Sequence, residues 1–175
     1  KVIGYSFNDT IRFREFLAQE FNEKVSQVDG YVIGDHGETQ VHLYSTAKID
    51  GKSIVADQNT KQRISGNVPI ILSQMEEYLG KTGRTAGWTC AVGISQIVHS
   101  IVEENDTIIP CSVIPDGEYG QRDLSITLPI LLGKDGVREI LEFDLVDDEI
   151  NGLKISINTL EKATDRVNRL LSTSL

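Results

Sequence analysis

The chain has 175 residues, of which 39% are hydrophobic and 25% are charged, and its formal net charge at pH 7 is −9. A globular chain of this length buries roughly two-thirds of the surface that its unfolded form exposes, so we expect one domain over residues 1–175. No apolar run approaches the roughly 18 residues that a membrane span needs, and the negative charge disfavours nucleic acid as a partner.

Hydrophobic periodicity and turn residues define the predicted elements. The first helix is expected to be capped by Asn8 or Asp9, and the second to be bent or interrupted near Gly66 and Pro69. In chain order the elements are a helix to about residue 21, strands over 28–33 and 41–47, an Asp50-Gly51 turn, helices over 59–79 and 86–104, strands over 107–114, 123–132 and 136–141, and an amphipathic helix over 147–171. Because helices and strands come in blocks, the pattern indicates an α+β fold, with an antiparallel sheet packed against long helices.

Glycine-containing segments predict loops and not nucleotide sites. The segment 34–38, Gly-Asp-His-Gly-Glu, lets the backbone turn tightly around His36. Gly80-Lys81-Thr82 lacks the glycine that a phosphate loop needs five positions earlier, where Met75 stands, so we expect a turn between two helices. No Gly-x-Gly-x-x-Gly follows a predicted strand, so no Rossmann domain and no cofactor-binding residue are expected within the chain.

The two cysteines, Cys90 and Cys111, lie in apolar segments without the spacing of metal ligands. They indicate structural thiols in a reducing compartment, and we expect a cytoplasmic protein. The N-terminus has no signal-peptide pattern, and because Lys1 stands at the start in place of Met, we expect further sequence before it.

Three side chains near the start of the chain form a candidate catalytic site. Histidine suits proton transfer because its unperturbed pKa lies near neutrality, and a carboxylate partner fixes its tautomer. Asp9 opens the first helix and His36 follows the first strand, so a helix packed on that strand would bring them together. Arg12 lies on the same helical face as Asp9, and its guanidinium can bind a carboxylate through two parallel hydrogen bonds. On spacing alone, a surface ion pair and a structural histidine are the alternatives.

A metal site is a further alternative for the histidine loop. Asp35, His36 and Glu38 are potential ligands, but neighbouring residues on a short glycine loop rarely converge on one ion, so we expect no metal. His42 in a predicted strand and His99 on a predicted helix are interpreted as structural.

Four segments carry a resemblance to a known family. Asn8–Arg14 and Val28–Thr39 closely resemble catalytic-domain motifs of the NAD-dependent lactate and malate dehydrogenase family, in family order and spacing. The segment Ala86-Gly87-Trp88 is similar to the family's Thr-Ser-Trp, and Leu128–Val137 is similar to its late hairpin. The likeness is to the C-terminal, substrate-binding domain, and its style is nearest to bacterial L-lactate and L-2-hydroxyisocaproate dehydrogenases.

The resemblance implies roles for four residues. His36 matches the family's acid–base histidine, Asp9 its partner aspartate and Arg12 the arginine that binds the substrate carboxylate. Ala86 falls where lactate-specific members usually carry threonine, which makes it a substrate-binding candidate. The implied activity is that of an L-2-hydroxyacid dehydrogenase, most like lactate dehydrogenase. Malate or hydroxyisocaproate dehydrogenase is the alternative, and a carboxylate-binding or assembly module of the same fold is the non-enzymatic one.

The resemblance also implies what this chain receives from elsewhere. In the family, the dinucleotide-binding half precedes these motifs, so we expect NAD to be bound mainly by a missing N-terminal domain and the 175 residues to be inactive alone. The implied partners are a small 2-oxo or 2-hydroxy acid and further copies of the protein, because members are commonly dimers or tetramers.

Overall fold

A computed structural model describes residues 2–82, 87–103 and 105–172. The elements in chain order are β1 (Gly4–Tyr5), α1 (Phe7–Phe21), β2 (Val28–Asp29), β3 (Val32–Ile33), β4 (Val41–His42), β5 (Lys48–Ile49), β6 (Lys52–Ser53), α2 (Gln58–Thr82), α3 (Gly87–Val102), β7 (Thr107–Val113), β8 (Ile126–Gly133), β9 (Gly136–Ile140) and α4 (Asp147–Ser172). The predicted α+β class, with an antiparallel sheet and long helices, is confirmed. No helix in these ranges is long and apolar enough to cross a membrane.

The main sheet is antiparallel, with the strand order β1-β7-β8-β9. β7 and β8 pair along their whole length, from Thr107 opposite Leu132 to Val113 opposite Ile126. β8 is buried along nearly all of its length, because α3 and β3 both contact it. The last three strands form the predicted meander, and this sheet supplies much of the core.

Helix α1 joins two apolar clusters. Its first residue, Phe7, packs in the cluster built on the main sheet, whereas Phe13 and Leu17 pack in a second cluster with Val32. The Thr10 hydroxyl, which is buried, accepts a hydrogen bond of 3.0 Å from the backbone N–H of Val32. The helix that carries Asp9 is therefore held directly against the strand that leads to His36.

The start of α1 differs from the prediction. The helix begins at Phe7 with Ser6 as its N-cap residue, and no side chain caps it. Capping by Asn8 or Asp9 was therefore a wrong prediction, because both residues lie inside the helix and their side chains bond elsewhere. The two residue types suit a cap and a buried polar contact equally well.

The two predicted strands after α1 are shorter than expected. The segment 28–33 divides at Gly30 into β2 and β3, which pair with different partners, β5 and β4. The segment 41–47 is a strand only over β4, and a 3-10 turn follows at Tyr44–Thr46. Asp50 and Gly51 form the predicted turn between β5 and β6, both with positive φ.

Helix α2 runs without a break through Gly66 and Pro69, so the expected interruption is wrong. A proline removes one backbone hydrogen bond, and in a helix of 25 residues the bonds on both sides of it maintain the helical path.

Candidate active site

The loop that carries His36 is attached to the main sheet at its first residue. Gly34 and Thr127 of β8 exchange two backbone hydrogen bonds, of 2.9 Å from Gly34 N to Thr127 O and 3.1 Å in the reverse direction. Within the loop, the Thr39 hydroxyl donates to Asp35 Oδ2 at 2.9 Å. These bonds place His36 at the end of β3, beside the first turn of α1.

The structure brings Asp9, Arg12 and His36 together. Asp9 Oδ2 lies 2.5 Å from His36 Nδ1, and Asp9 Oδ1 accepts a hydrogen bond of 2.9 Å from Arg12 Nη1. The Asp9 side chain is only 8% exposed, whereas 25% of Arg12 and 62% of His36 is exposed. A buried carboxylate thus supports two groups that reach the surface.

This geometry favours one protonation pattern of the imidazole. A carboxylate facing Nδ1 accepts its proton, so the neutral ring carries its free lone pair on Nε2. Nε2 lies on the opposite side of the ring from Nδ1 and so points away from Asp9. The exposed nitrogen is suited to give a proton to a ligand or take one from it, while Arg12 stands nearby as a fixed positive charge.

A second layer of polar side chains, which the sequence analysis did not identify, links this site to α3. The Tyr5 hydroxyl lies 2.8 Å from Asn8 Oδ1 and 3.1 Å from the Thr89 carbonyl oxygen. Asn8 Nδ2 donates to Cys90 Sγ at 3.2 Å. Burial raises the pKa of Tyr5 to about 12, so its phenol stays protonated at neutral pH. The two contacts to α3, Tyr5–Thr89 and Asn8–Cys90, join residues more than 80 positions apart, and no periodicity or motif connects them.

A buried serine also contacts the loop. Ser156 of α4 is fully buried, and its hydroxyl oxygen accepts a hydrogen bond of 2.6 Å from the backbone N–H of Asp35. The sequence placed residue 156 only within a long helix, because a contact across 121 positions leaves no local signal.

The remaining candidates have the contacts of structural residues. The His42 ring packs 4.9 Å from the Phe13 ring, and burial lowers its pKa to about 4. His99 forms an exposed pair with Glu103, with 2.8 Å between Nε2 and Oε2. Among the described residues, no group of histidine, cysteine and acidic side chains is arranged to hold a metal ion.

The structure describes both cysteines but not Ala86. Cys111 is buried in the sheet, where burial raises its pKa to about 11, and Cys90 is half-buried beside Asn8. Both are free thiols. Ala86, the substrate-binding candidate at the head of α3, lies outside the described residues.

The fold and the site together define a class of protein. It is an α+β domain that presents a histidine–aspartate pair and an arginine at its surface, as proton transfer on a carboxylate-bearing ligand requires. Residues 8–170 match the family model described as lactate/malate dehydrogenase, alpha/beta C-terminal domain. The chain belongs to this family.

Individual relatives carry both family names. The chain is 30% identical to the malate dehydrogenase of Haloferax volcanii over 168 residues, which cover 95% of this chain and 54% of that protein. It is 32% identical to the L-lactate dehydrogenase of Halalkalibacterium halodurans, with coverage of 87% and 49%. Its fold matches the Cryptosporidium parvum lactate dehydrogenase in complex with lactic acid and nicotinamide adenine dinucleotide with a TM-score of 0.86 and 27% identity, over 95% of this chain and 55% of that one. The chain spans about half the length of the curated relatives that it matches.

Proposed function

We propose that this chain is the substrate-binding half of an L-2-hydroxyacid dehydrogenase, in which His36 moves a proton to or from the C2 oxygen of a small 2-oxo or 2-hydroxy acid. The observation that carries the proposal is the shared contact of Asp9 with His36 and Arg12. A candidate general acid and a candidate carboxylate-binding group are then held by the two oxygens of one carboxylate.

Each of the three residues has a separate role. Arg12 binds the substrate carboxylate and fixes its orientation, because a planar guanidinium forms two parallel hydrogen bonds with it. In the reduction direction, protonated His36 donates from Nε2 to the 2-oxo oxygen, and in oxidation neutral His36 takes the hydroxyl proton. Asp9 keeps the ring oriented through Nδ1 and stabilises its charged form.

The implied cofactor, NAD, would be bound in a site to which another part of the protein contributes. NAD supplies or accepts the hydride when it is bound. The His36 side chain is 62% exposed, so a dinucleotide held by another part of the protein could reach it. For this reason we propose that the 175 residues alone have no turnover.

The proposed substrate class is defined by the features that lactate and malate share. Both carry a carboxylate for Arg12 and an oxygen on C2 for His36, and they differ in the third substituent. Relatives of both names support the two substrates equally. Lactate-type specificity is our working proposal, with malate and the bulkier hydroxyisocaproate as the alternatives that the following experiment separates.

The test uses the full-length protein from the native gene, with NADH and three acids: pyruvate, oxaloacetate and 2-oxoisocaproate. We expect turnover of at least one acid, and a fall of about 10²- to 10⁴-fold in kcat for His36→Asn with NADH binding retained. The matched control is His99→Asn, because His99 is also an exposed histidine paired with a carboxylate. Its turnover should equal that of the wild type.

Two outcomes reject the proposal. Undiminished turnover in His36→Asn removes the role of the histidine. Failure of the wild-type protein to oxidise NADH with any of the three acids favours the carboxylate-binding module instead.

A further inference from the structure

The serine of α4 that contacts the histidine loop is at a tightly packed position. Ser156 is fully buried, and its Oγ accepts a hydrogen bond from the backbone N–H of Asp35, the residue directly before His36. The distance of 2.6 Å is short for an N–H donor, and the loop is held there against the helix.

Gly34 shows how closely helix and loop approach each other. Its φ of +94° is in the region that favours glycine, and a Cβ built there would lie 2.4 Å from Ser156 Oγ and 3.0 Å from Ser156 Cβ. The serine side chain therefore fills the space that the absence of a side chain at Gly34 leaves open. Helix α4 sets where the chain leaves β3, two residues before His36.

The imidazole itself has little support from packing. Its side chain is 62% exposed and is hydrogen-bonded to Asp9. The position of the ring consequently depends on the backbone that carries it, and Ser156 contacts that backbone from another element. Thr39 provides a second contact, but it belongs to the same loop.

We infer that Ser156 is a positioning residue for His36, acting through the backbone N–H of Asp35. The inference rests on the proposed function, because it concerns the same proton transfer. Proton and hydride transfer require reacting atoms in near-contact geometry, and a displacement of about 1 Å reduces the rate by roughly 100-fold. Loss of the Ser156 hydroxyl releases Asp35 from α4 and moves the ring, while Gly34 stays bonded to Thr127 and Arg12 on α1 keeps its place.

The kinetic test compares Ser156→Ala with the wild type in the full-length protein. We expect kcat to fall by about tenfold or more, with KM for the 2-oxo acid changed by less than about threefold. The primary isotope effect with deuterated NADH should rise, because the chemical step becomes slower than product release. Ser100→Ala is the matched control: Ser100 is also buried, and its hydroxyl donates within α3, to the Gln96 carbonyl oxygen. It should leave kcat unchanged.

A crystal structure of the same variant gives a measurement that does not depend on turnover. The distance from Asp9 Oδ2 to His36 Nδ1 should lengthen beyond hydrogen-bonding range in Ser156→Ala and stay short in Ser100→Ala. If the wild-type protein has no activity, the proposed function fails, and this distance still tests whether Ser156 places the ring.

The outcomes that overturn the inference are specific. Wild-type kcat in Ser156→Ala does so, and so does an unmoved His36 in its crystal structure. If Ser156→Ala does not fold, Ser156→Cys replaces it, because sulfur is a weaker hydrogen-bond acceptor than oxygen. That variant is expected to have a reduced kcat, and wild-type kcat with a lengthened contact to Asp35 N overturns the inference equally.

Discussion

At the scale of single residues, the Asp9 carboxylate divides its two oxygens between two functions. Oδ2 faces His36 and Oδ1 faces Arg12, and the side chain is almost completely buried. A buried carboxylate needs compensating partners, and here the partners are the two groups that the proposed reaction uses. The placement of the acid–base group and that of the carboxylate-binding group are therefore coupled through one residue.

Arg12→Lys tests the binding role separately from proton transfer. An ammonium keeps the charge but offers no planar pair of donors, so we expect KM for the 2-oxo acid to rise by about 10- to 100-fold, a loss of about 1.4 to 2.8 kcal/mol. The measurement is steady-state kinetics of the full-length protein. Arg63→Lys is the control, because Arg63 also pairs with an acidic residue, Glu20, but on an exposed surface. An unchanged KM in Arg12→Lys would argue against the proposed clamp.

His42 makes stability depend on pH. Burial lowers its pKa from 6.5 to about 4, whereas the unfolded chain restores the ordinary value. Between these values the unfolded state binds a proton that the folded state does not, so stability is complete above pH 6.5 and decreases as the pH falls, by about 3 kcal/mol near pH 4. We expect the urea midpoint to fall less between pH 7 and pH 5 in His42→Phe than in the wild type. Equal falls would show that His42 does not titrate in this way.

The residues of the candidate site were predictable to different degrees. Asp9, Arg12 and His36 belong to short motifs, and their type and spacing indicate chemistry before any contact is known. Tyr5 and Ser156 had no such signal, because their partners lie 84 and 121 positions away and the contacts exist only after the elements have packed.

At the scale of elements, the loop between β3 and β4 is shaped by the positive φ of Gly34 and by α4 beneath it. A side chain at residue 34 is disfavoured both by the positive φ and by its contact with Ser156 of α4. Helix periodicity predicted α1, α3 and α4 well, because long amphipathic patterns are clear, whereas the two-residue strands β2 to β6 are defined by pairing that no local pattern reports.

Gly34→Ala and Gly51→Ala separate backbone strain from steric conflict. Both glycines have positive φ, but a Cβ at Gly51 meets nothing within 4 Å, whereas one at Gly34 meets Ser156. We expect Gly51→Ala to cost about 1 kcal/mol of unfolding free energy, and Gly34→Ala to cost about 2 kcal/mol or more beyond that. Urea unfolding of the two variants measures the difference. Equal losses of unfolding free energy in the two variants would mean that α4 shifts to accommodate the added methyl group at little cost.

At the scale of the whole molecule, the apolar surface is incompletely covered within this chain. Helix α3 exposes Ile94, Val98 and Val102, which recur every four residues and so lie along one face. The predicted apolar face of α4 is buried at Leu153 but exposed at Val167, so that face is only partly used by the described fold. Surfaces of this kind are typical of contacts with further protein.

We propose that this face of α3 lies in an interface between copies of the protein. Val98→Asp should then shift the full-length protein to a smaller species in sedimentation velocity, because an unpaired charge at an apolar contact is costly. Val55→Asp is the control, since Val55 is exposed on a connection outside the helices. If Val98→Asp sediments as the same species as the wild type, this face of α3 is not the interface.

The fold class was predictable from the order of the elements, and the family from motifs that cover most of the chain. The arrangement of the small sheets was not, and neither was the burial of each helix face, because both depend on which distant elements meet. The match to residues 8–170 confirms the predicted family, and Asp9 contacts His36 as the packing of a helix on the strand before His36 predicted. The roles of these residues stay a prediction.

The most direct test of the central claim is a crystal structure of the full-length protein with NADH and oxamate, the unreactive amide isostere of pyruvate. We expect the oxamate carboxylate to form two parallel hydrogen bonds with Arg12, of about 2.7 to 3.2 Å between nitrogen and oxygen, and His36 Nε2 to lie within the same range of the oxamate carbonyl oxygen. Oxamate bound with its carboxylate away from Arg12, or with its carbonyl oxygen out of reach of His36, would contradict it.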